Sequence, residues 1–279
     1  MNLLGIDFED WFHPELIKKN LDKEDTKPII INGIDKIINL LNKHDTLATF
    51  FVVGELLEYK PEILDKILEN GHEIGFHTMY HTKLDSTGFE TKFEDELLKF
   101  KKLARGKSKG FRAPTFSLNP SSSWAIPILE KNDYIYDSSI VPAKTTMYGI
   151  ENAEIQPYRI SSNNLARNDP TAKLMEFPLL ITKFLGKKIP IGGGFYLRTF
   201  PLKITERSIS NYEKQNMPAT FYIHSWELTP ELMPKIKLSK KDSFITYHNL
   251  QKTPQRMEKI LKKFEFTSFE RYIKSNNLL

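Results

Sequence analysis

The sequence of 279 residues predicts an α/β fold, in which parallel strands and crossover helices alternate around a barrel-type site. Short apolar runs rich in β-branched and aromatic residues alternate with stretches whose apolar residues recur at helical spacing. Several apolar runs end in acidic, histidine or arginine side chains, which is typical of barrels whose strand ends build an active site. No boundary divides the chain, so we expect a single domain over residues 1–279.

The strands are predicted from short buried runs closed by turn residues. They are expected at residues 2–7, 47–53, 74–76, 110–114, 134–137 and 219–223. The helices are predicted from apolar periodicity and from proline or glycine at their ends. They are expected at 29–41, 61–69, 93–103, 121–130 with a serine cap, 204–214 and 254–264. Residues 141–201 show no clear period and are predicted to form loops and short strands.

Composition excludes several classes of function. Forty basic and 35 acidic residues give a net charge of +5, and the lysine-rich stretches 99–109 and 235–241 lack the stacking aromatic residues of a nucleic-acid surface. The absence of cysteine excludes disulfides, cysteine-zinc sites and thiol catalysis, and it suits the cytoplasm. The N-terminus has no secretory pattern, and the longest apolar run is shorter than the roughly 20 residues of a membrane span. We therefore expect a cytoplasmic protein without a transmembrane segment or a nucleic-acid partner.

The most distinctive motif is a pair of histidines, His77 and His81, four residues apart just after an apolar run. On one turn of helix or on a helical loop, both imidazoles project to the same side and can share one divalent ion. Two partly exposed loop histidines are the alternative, because this spacing also arises by chance. An acidic cluster, Asp-Phe-Glu-Asp at residues 7–10, follows the first predicted strand. Three carboxylates this close together repel one another unless a cation relieves the repulsion.

Further motifs follow in a defined order. They are Ala-Thr-Phe-Phe-Val-Val-Gly at 48–54, His-Thr-Met-Tyr-His at 77–81, Phe-Arg-Ala-Pro at 111–114, Tyr-Asp-Ser-Ser at 136–139, the stretch 192–198, and Tyr-Ile-His-Ser-Trp-Glu at 222–227. Together with the acidic cluster, they resemble the polysaccharide deacetylases with NodB homology, also called carbohydrate esterase family 4. The acidic cluster is similar to the first motif of a subgroup that reads Asp-x-Glu-Asp-Trp/Tyr-Phe. The resemblance covers most of the chain.

The resemblance implies a distorted barrel of about seven strands and a metal-dependent hydrolase that removes N-acetyl groups from an amino sugar. The substrate is expected to be a polysaccharide or its precursor, in the synthesis of a cell-surface polysaccharide. The cofactor is expected to be a divalent ion, zinc before others. Two histidines and one carboxylate leave coordination positions open, so a bound water can have its pKa lowered to about 7 while the amide carbonyl is polarised.

The roles within the acidic cluster are the least determined. The common family form has two adjacent aspartates, the catalytic base and then the metal ligand, whereas here Asp7, Glu9 and Asp10 compete for two roles. We expect Asp7 to be the base and Asp10 to bind the metal together with His77 and His81. Strand parity places Asp7 and Glu9 on one face, so Asp7 as base with Glu9 as ligand stays open. Glu9 as base with Asp10 as ligand also stays open.

Other residues take their roles from the resemblance. Arg112 is expected to pair with the base and hold it ionised. His224 is expected to be the general acid, because it ends a predicted strand and imidazole titrates near neutral pH. Pro114 is expected to shape a turn that points a backbone N–H at the oxyanion. Asp137 is expected to tune the general acid or to bind substrate, and Trp226 to offer its face to a sugar ring.

Two other classes of function are compatible with parts of this pattern. Two histidines and a carboxylate are also the facial triad of non-haem iron oxygenases, which would consume oxygen. That interpretation leaves Arg112 and His224 without a role. A catalytically silent carbohydrate-binding relative is the second alternative, and the retained acidic and histidine motifs argue against it. The histidines at 13, 44, 72 and 248 are expected to be structural or surface residues.

Overall fold

The computed structural model describes residues 1–21 and 26–278. Its strands are β1 Asn2–Phe8, β2 Thr49–Val52, β3 Glu73–Phe76, β4 Gly110–Phe111, β5 Tyr136–Asp137, β6 Tyr158–Arg159, β7 Met175–Glu176, β8 Ile181–Phe184, β9 Lys187–Pro190, β10 Thr220–His224 and β11 Phe266–Thr267. Its α-helices are α1 Glu15–Lys18, α2 Ile34–Asn42, α3 Gly54–Tyr59, α4 Glu62–Glu69, α5 Glu90–Leu103, α6 Ala125–Lys131, α7 Gly194–Thr199, α8 Leu202–Glu213, α9 Ser225–Leu228, α10 Lys240–Tyr247, α11 Thr253–Leu261 and α12 Phe269–Ser275.

Seven parallel strands lie side by side in the order β10-β1-β2-β3-β4-β5-β7, and β6 is antiparallel on the outer edge of β7. β11 pairs with the start of β1, while β8 and β9 form a separate hairpin. The sheet curls until the chain just after β7 meets β10, where Leu179 forms a parallel bridge with Thr220. The predicted α/β fold, a distorted barrel of about seven strands, is confirmed.

The helices pack on the outside of this curled sheet because each has one apolar face. α2 buries Ile34, Ile37, Ile38 and Leu41, at the helical spacing that predicted it. β1, β2 and β3 are buried along their whole length, which explains their continuous apolar runs. No helix within residues 1–21 and 26–278 is long and apolar enough to cross a bilayer.

Several predicted elements differ in detail from the observed ones. The predicted helix at 29–41 begins with a 3₁₀ turn, Ile30–Gly33, before α2. The helix expected at 121–130 is a 3₁₀ turn followed by α6. Its cap is Asn119 rather than a serine, and the Asn119 side chain accepts a hydrogen bond from the Ser121 amide at 2.9 Å. Residues 141–201 contain short strands, as predicted, and also α7, which periodicity did not indicate.

The strand register brings the polar strand ends together. Asp7 of β1 lies beside Phe51 of β2 on one side and beside His224 of β10 on the other. His77 directly follows β3, and Arg112 directly follows β4. Because the carboxyl ends of parallel strands meet at one edge, residues far apart in sequence converge there.

Arg112 has no exposed surface and is one of two fully buried arginines among the described residues. Its Nη1 donates to Asp7 Oδ1 at 2.6 Å, Nε to the Ser138 carbonyl oxygen at 2.9 Å and Nη2 to Ser138 Oγ at 2.8 Å. The guanidinium carbon lies 4.1 Å from the centre of the Phe51 ring. Gly5 of β1 makes room for this group, since a Cβ there would lie 2.4 Å from Nη1.

We expect Gly5→Ala to destabilise the fold by about 1–3 kcal/mol, because overpacking must displace a guanidinium that three hydrogen bonds hold in place. Urea unfolding of the variant and the wild type measures this change. Gly88→Ala is the matched control, since its Cβ would meet nothing and only the positive φ of 71° opposes it. A Gly5→Ala variant as stable as the wild type would contradict the packing described for Arg112.

Candidate active site

A buried group of Glu9, His77 and His81 lies at the carboxyl edge of the sheet. Each offers one ligand atom, and the three atoms lie within 4.8 Å of one another. Glu9 Oε2 is 2.8 Å from His81 Nε2. Glu9 Oε2 and His81 Nδ1 are buried polar atoms without a hydrogen-bond partner among the residues described. A buried carboxylate and two imidazoles in this arrangement fit the donor set of a divalent metal ion.

Of the two settings that the spacing predicted for the histidine pair, a turn of helix or a loop, the structure shows a loop after β3. Thr78 and His81 have positive φ angles of 59° and 52°. The carbonyl oxygens of Thr78 and Met79 accept hydrogen bonds from the amides of Gly54 and Glu55, at the start of α3. The loop is therefore held by a helix N-terminus, and its left-handed residues turn the two imidazoles to within 5.0 Å of each other, centre to centre.

The orientation of His77 is fixed by a backbone group. Its Nδ1 lies 2.7 Å from the carbonyl oxygen of Arg112, so Nδ1 donates and Nε2 is the atom left to bind an ion. Burial lowers the pKa of His77 to about 4. The imidazole is thus neutral at physiological pH, as a metal ligand must be.

Glu9 is ionised for a different reason. Burial by itself would raise the pKa of Glu9, but the neighbouring imidazoles, His81 first, lower it well below its ordinary value. Glu9 Oε1 also accepts a hydrogen bond from Trp226 Nε1 at 2.9 Å. Its backbone is tied to Ser225, which accepts from the Glu9 amide at 3.1 Å and donates to the Glu9 carbonyl oxygen. The carboxylate is therefore charged and held in one position.

Asp10, which the resemblance predicted as the metal ligand, does not join this group. Its two oxygens accept hydrogen bonds from the backbone amides of Trp11, Ile29 and Ile31, at 2.9 to 3.2 Å. Burial raises the pKa of Asp10, and these amides counter part of that rise. The geometry favours the Glu9 alternative over the predicted ligand Asp10, because Glu9 lies with His77 and His81 whereas the Asp10 oxygens are occupied by backbone amides.

His13 was expected to be structural or at the surface, and the structure places it beside the site. The Asp10 amide donates to His13 Nδ1 at 2.7 Å, and His13 Nε2 lies 2.7 Å from Glu55 Oε1. The His13 ring is 5.8 Å from that of His81. Since Nδ1 accepts, Nε2 carries the proton and donates to Glu55, so His13 fixes the acidic segment and supports His81.

His224 ends β10 on the opposite side of Asp7 from β2. Its Nδ1 lies 2.8 Å from Glu227 Oε2, and its Nε2 lies 3.7 Å from Glu9 Oε1. Burial by itself lowers the pKa of His224, but the carboxylates of Glu227, Glu9 and Asp7, Glu227 foremost, together outweigh burial, and the pKa rises to about 9. The imidazole is therefore protonated at neutral pH.

Glu227 and Arg198 were given no role from the sequence, although both lie in recognised motifs. Arg198 Nε donates to Glu227 Oε1 at 3.0 Å, and both side chains are fully buried. Gly194 makes this possible, because a Cβ there would lie 1.8 Å from Glu227 Oε2. The sequence offered one indication of a role for Glu227, namely that this acidic residue stands three positions after His224. The buried Arg198 could not be assigned as its partner without the fold.

Trp226 stacks on His224 rather than presenting a free face. The ring centres are 4.9 Å apart and the planes differ by 15°. With its Nε1 bound to Glu9, Trp226 orients both a carboxylate of the candidate metal group and the neighbouring imidazole. Trp226 can therefore stack on a sugar ring, as predicted, only with the part of the indole ring that lines the cleft.

Asp137, predicted to tune His224 or to bind substrate, does not line the cleft. It is buried between strands beside Glu176, its register partner on β7, and it accepts a hydrogen bond from Ser139 Oγ at 2.6 Å. Burial raises the pKa of both carboxyl groups. Ser139 Oγ in turn accepts from the Ala113 amide at 2.8 Å. The prediction is corrected: Asp137 acts through Ser139 on the backbone next to Arg112.

Pro114 opens a strained turn at the rim of the site. Thr115 and Phe116, which follow it and line the cleft, have positive φ angles of 55° and 51°. Such angles in non-glycine residues cost about 1–3 kcal/mol each and cluster at functional sites. The amides of Phe116 and Ser117 donate to carbonyl oxygens within the turn. That a backbone N–H near Pro114 faces the oxyanion stays a prediction.

The group Glu9, His77 and His81 opens, together with Asp7 and His224, into one cleft with a volume of about 250 Å³. Its polar floor is formed by Asp7, Glu9, His77, His81 and His224. Its walls are mostly apolar and aromatic: Leu16, Phe116, Met147, Tyr148, Phe195, Tyr196, Tyr222 and Trp226. A small, apolar-walled cleft with a few convergent polar groups is the usual form of a small-molecule site.

Comparison with known proteins agrees with this architecture. Residues 25–131 match the family model described as polysaccharide deacetylase, and residues 138–274 match a domain of unknown function, DUF3473. A peptidoglycan-N-acetylglucosamine deacetylase from Bacillus cereus is 36% identical over 67 residues, 24% of this chain and 31% of that protein. A peptidoglycan-N-acetylglucosamine deacetylase from Listeria monocytogenes is 25% identical over 179 residues, 58% of this chain and 38% of that protein.

A crystal structure of a candidate polysaccharide deacetylase from Mycobacterium smegmatis has the same fold, with a TM-score of 0.61 at 14% identity over 99% of this chain and 91% of that one. Fold and site thus define an α/β barrel with a candidate metal centre at its strand ends. The chain matches the polysaccharide deacetylase family over residues 25–131, as the motifs indicated. It spans about a third of the length of the curated relatives that it matches first. Its place in the subgroup with the Asp-x-Glu-Asp motif stays a prediction, as does its single-domain character.

We expect Glu9→Gln to weaken zinc binding by more than about 100-fold, because it removes a charged ligand, whereas loss of an outer-shell contact costs about 10–100-fold. Asp10→Asn is the matched control: it should keep the metal and lose about 1–3 kcal/mol of stability, since its amide group faces backbone donors. Zinc titration calorimetry and urea unfolding measure the two effects. Loss of zinc in Asp10→Asn alone would restore Asp10 as the ligand.

Proposed function

We propose that this chain is a metal-dependent carbohydrate N-deacetylase, a hydrolase that removes acetyl groups from an amino sugar of a polysaccharide or its precursor. The observation that carries the proposal is the arrangement in one cleft of the group Glu9, His77 and His81 with two carboxylate-linked cation pairs. These are Asp7 with Arg112, and His224 with Glu227. Amide hydrolysis needs an activated nucleophile, stabilisation of the oxyanion and an acid for the leaving amine, and this set can supply each.

The donor set supports a zinc ion in particular. Two imidazoles and one carboxylate are a known catalytic set for zinc, with a further position open for water. Bound there, the ion would supply a Lewis acid for the amide carbonyl and for a water. The chain's part is to keep His77 neutral and correctly rotated through the Arg112 carbonyl, and to keep Glu9 ionised and fixed through Trp226.

Asp7 is the proposed base. Arg112 holds its Oδ1 at 2.6 Å, so the carboxylate is fixed and its other oxygen is available to accept a proton from a water in the cleft. Arg112 is too deeply buried to touch substrate, which makes it a positioning residue. The Arg112 contacts to Ser138 leave the guanidinium no freedom to move away.

His224 is the proposed general acid. When the tetrahedral intermediate collapses, the C–N bond breaks and the amine nitrogen must gain a proton, because an amine anion is too poor a leaving group. Glu227 Oε2 accepts a hydrogen bond from the Nδ1–H of the imidazolium, so the proton on Nε2 is the one that can be transferred. The raised pKa of His224 keeps it protonated until the amine departs.

The substrate and the location belong to the same proposal. Two relatives are named as deacetylases of N-acetylglucosamine in peptidoglycan, which supports an N-acetylated amino sugar as substrate here. The aromatic walls of the cleft suit the apolar face of a sugar ring. We place the enzyme in the cytoplasm, in the synthesis of a surface polysaccharide, on the ground of a sequence without cysteine. Acetate release from polymeric, lipid-linked and nucleotide-linked N-acetyl sugars would identify the substrate.

An iron oxygenase is the less favoured interpretation of the same three ligands. The hydrogen-bonded pairs of Asp7 with Arg112 and of His224 with Glu227 favour hydrolysis. Hydrolysis needs a fixed base that accepts a proton and a fixed acid that donates one, and these pairs supply both. Oxygen consumption by the iron-loaded protein, without acetate release from any N-acetyl sugar, would reverse this preference.

We expect zinc-dependent acetate release that a chelator removes and added zinc restores.

Asp7→Asn should keep the metal and lower kcat by about 10²–10⁴-fold, because it removes the base. His224→Ala should also keep the metal and lower kcat to a similar extent. Single-turnover acetate assays with metal analysis by mass spectrometry test both variants. If a variant raises KM and leaves kcat unchanged, the replaced residue binds substrate and does not transfer a proton.

We expect Glu227→Gln to move the basic limb of the pH–rate profile to lower pH. His224 must be protonated to act, so activity falls as pH rises through its pKa, which the neighbouring carboxylates, Glu227 foremost, raise to about 9. Without that carboxylate the imidazole loses its proton nearer to its ordinary value. The pH dependence of kcat for both proteins measures the shift. A basic limb that stays in place would show that His224 does not control it.

A further inference from the structure

The hairpin formed by β8 and β9 projects from the barrel wall and ends in apolar side chains. Phe184 and Leu185, at its tip, are 63% and 87% exposed. Leu185 is the most exposed of the large hydrophobic residues within the described part of the chain. Scattered exposed hydrophobic residues are common, but two adjacent ones at the tip of a projecting hairpin are a concentrated apolar surface.

The conformation of Leu185 adds a second, independent observation. Phe184 pairs with Lys187, so the turn has two residues, Leu185 and Gly186, with positive φ angles of 48° and 77°. Such a turn favours asparagine or aspartate before the glycine, since these residues tolerate the left-handed region. A leucine there is unfavourable for the backbone and, at 87% exposure, unfavourable for solvation.

The tip is also flanked by positive charge. Lys183 and Lys187 are exposed on the two strands beside Phe184 and Leu185. Neither lysine has an ion-pair partner within residues 1–21 and 26–278. Lys188 is different, because its Nζ donates to the Glu151 carbonyl oxygen at 2.7 Å and ties the base of the hairpin to the barrel. An apolar point between two free cations is complementary to a surface that is anionic outside and apolar beneath.

We propose that this tip docks the protein on a bilayer that contains anionic lipids. Phe184 and Leu185 enter the boundary between headgroups and acyl chains, and Lys183 and Lys187 contact the anionic headgroups. A protein partner fits less well, because a stable protein interface takes about 800 Å² from each side, more than two side chains and a turn provide. The proposal does not depend on the proposed catalytic activity.

The hairpin is joined to the walls of the cleft by short segments of chain. β9 leads through Gly192 and Gly193 directly into α7, whose Phe195 and Tyr196 line the cleft. Lys188 binds Glu151, three residues after Tyr148, which also lines the cleft. The hairpin and the cleft walls are thus joined by short, fixed connections.

Sedimentation with vesicles of phosphatidylcholine, with and without phosphatidylglycerol, tests the proposal on the full chain. We expect binding to the anionic vesicles that added salt weakens. Phe184→Thr/Leu185→Asn should weaken it about tenfold or more, since the apolar contribution is lost. This double variant gives the turn its preferred Asn-Gly sequence, so its thermal midpoint should equal or exceed that of the wild type.

Two matched controls separate the tip from general surface effects. Leu98→Gln removes an exposed leucine from α5 and should leave vesicle binding unchanged. Lys183→Gln/Lys187→Gln should weaken binding to anionic vesicles, whereas Lys102→Gln/Lys107→Gln, on exposed positions elsewhere, should not.

Three results would overturn the proposal. The wild type does not bind anionic vesicles, the tip variant binds as well as the wild type, or light scattering shows self-association of the wild type that the tip variant loses. The last result would assign the tip to contacts between copies of the chain.

Discussion

The buried guanidinium of Arg112 is the interaction on which the barrel and its site both depend. A charge removed from water is tolerated only where it is paired and fully hydrogen-bonded, and Arg112 meets this condition through Asp7 and Ser138. The same residue holds His77 through its carbonyl oxygen. One side chain therefore joins β1, β4 and the segment after β5, and it fixes the base candidate and a ligand candidate relative to each other. Gly5 of β1 leaves space for the Arg112 guanidinium, because it has no Cβ.

On the other wall of the site, a second buried arginine, Arg198, is also paired with a carboxylate. Arg198 neutralises Glu227, and Glu227 holds His224, so a cation, an anion and an imidazolium lie in a row. Gly194 leaves the space for Glu227, as Gly5 does for Arg112. In both walls a glycine, an arginine and a carboxylate form one unit. The site is rigid for this reason, since no member can move without leaving a buried charge unpaired.

The acidic cluster shows how the fold divides three adjacent carboxylates. Asp7 is neutralised by Arg112, Glu9 faces the two histidines, and Asp10 is satisfied by backbone amides of the loop beyond Trp11. Each carboxylate has its own source of positive potential, so their mutual repulsion does not oppose folding. His13 and Ser225 hold the backbone of the cluster in the conformation that this division needs.

The sequence by itself determined the alternation of strands and helices, the resemblance to the polysaccharide deacetylases, and the residue types of the site, because apolar periodicity and ordered motifs are local properties of the chain. It also indicated Asp7, His77, His81, Arg112 and His224, all of which the structure brings to one cleft or directly beneath it. It could not separate Glu9 from Asp10, because that choice depends on where the loop amides of Ile29 and Ile31 lie once the chain has folded.

Only the tertiary structure decided the partners of buried charges. Glu227 and Arg198 are 29 residues apart, and Asp137 and Glu176 meet through the pairing of β5 with β7. No periodicity or spacing encodes such contacts, since they arise from the order in which parallel strands are placed in the sheet. The exposure of Leu185 was likewise invisible in the sequence, where an apolar residue before glycine in an irregular stretch has no distinguishing pattern.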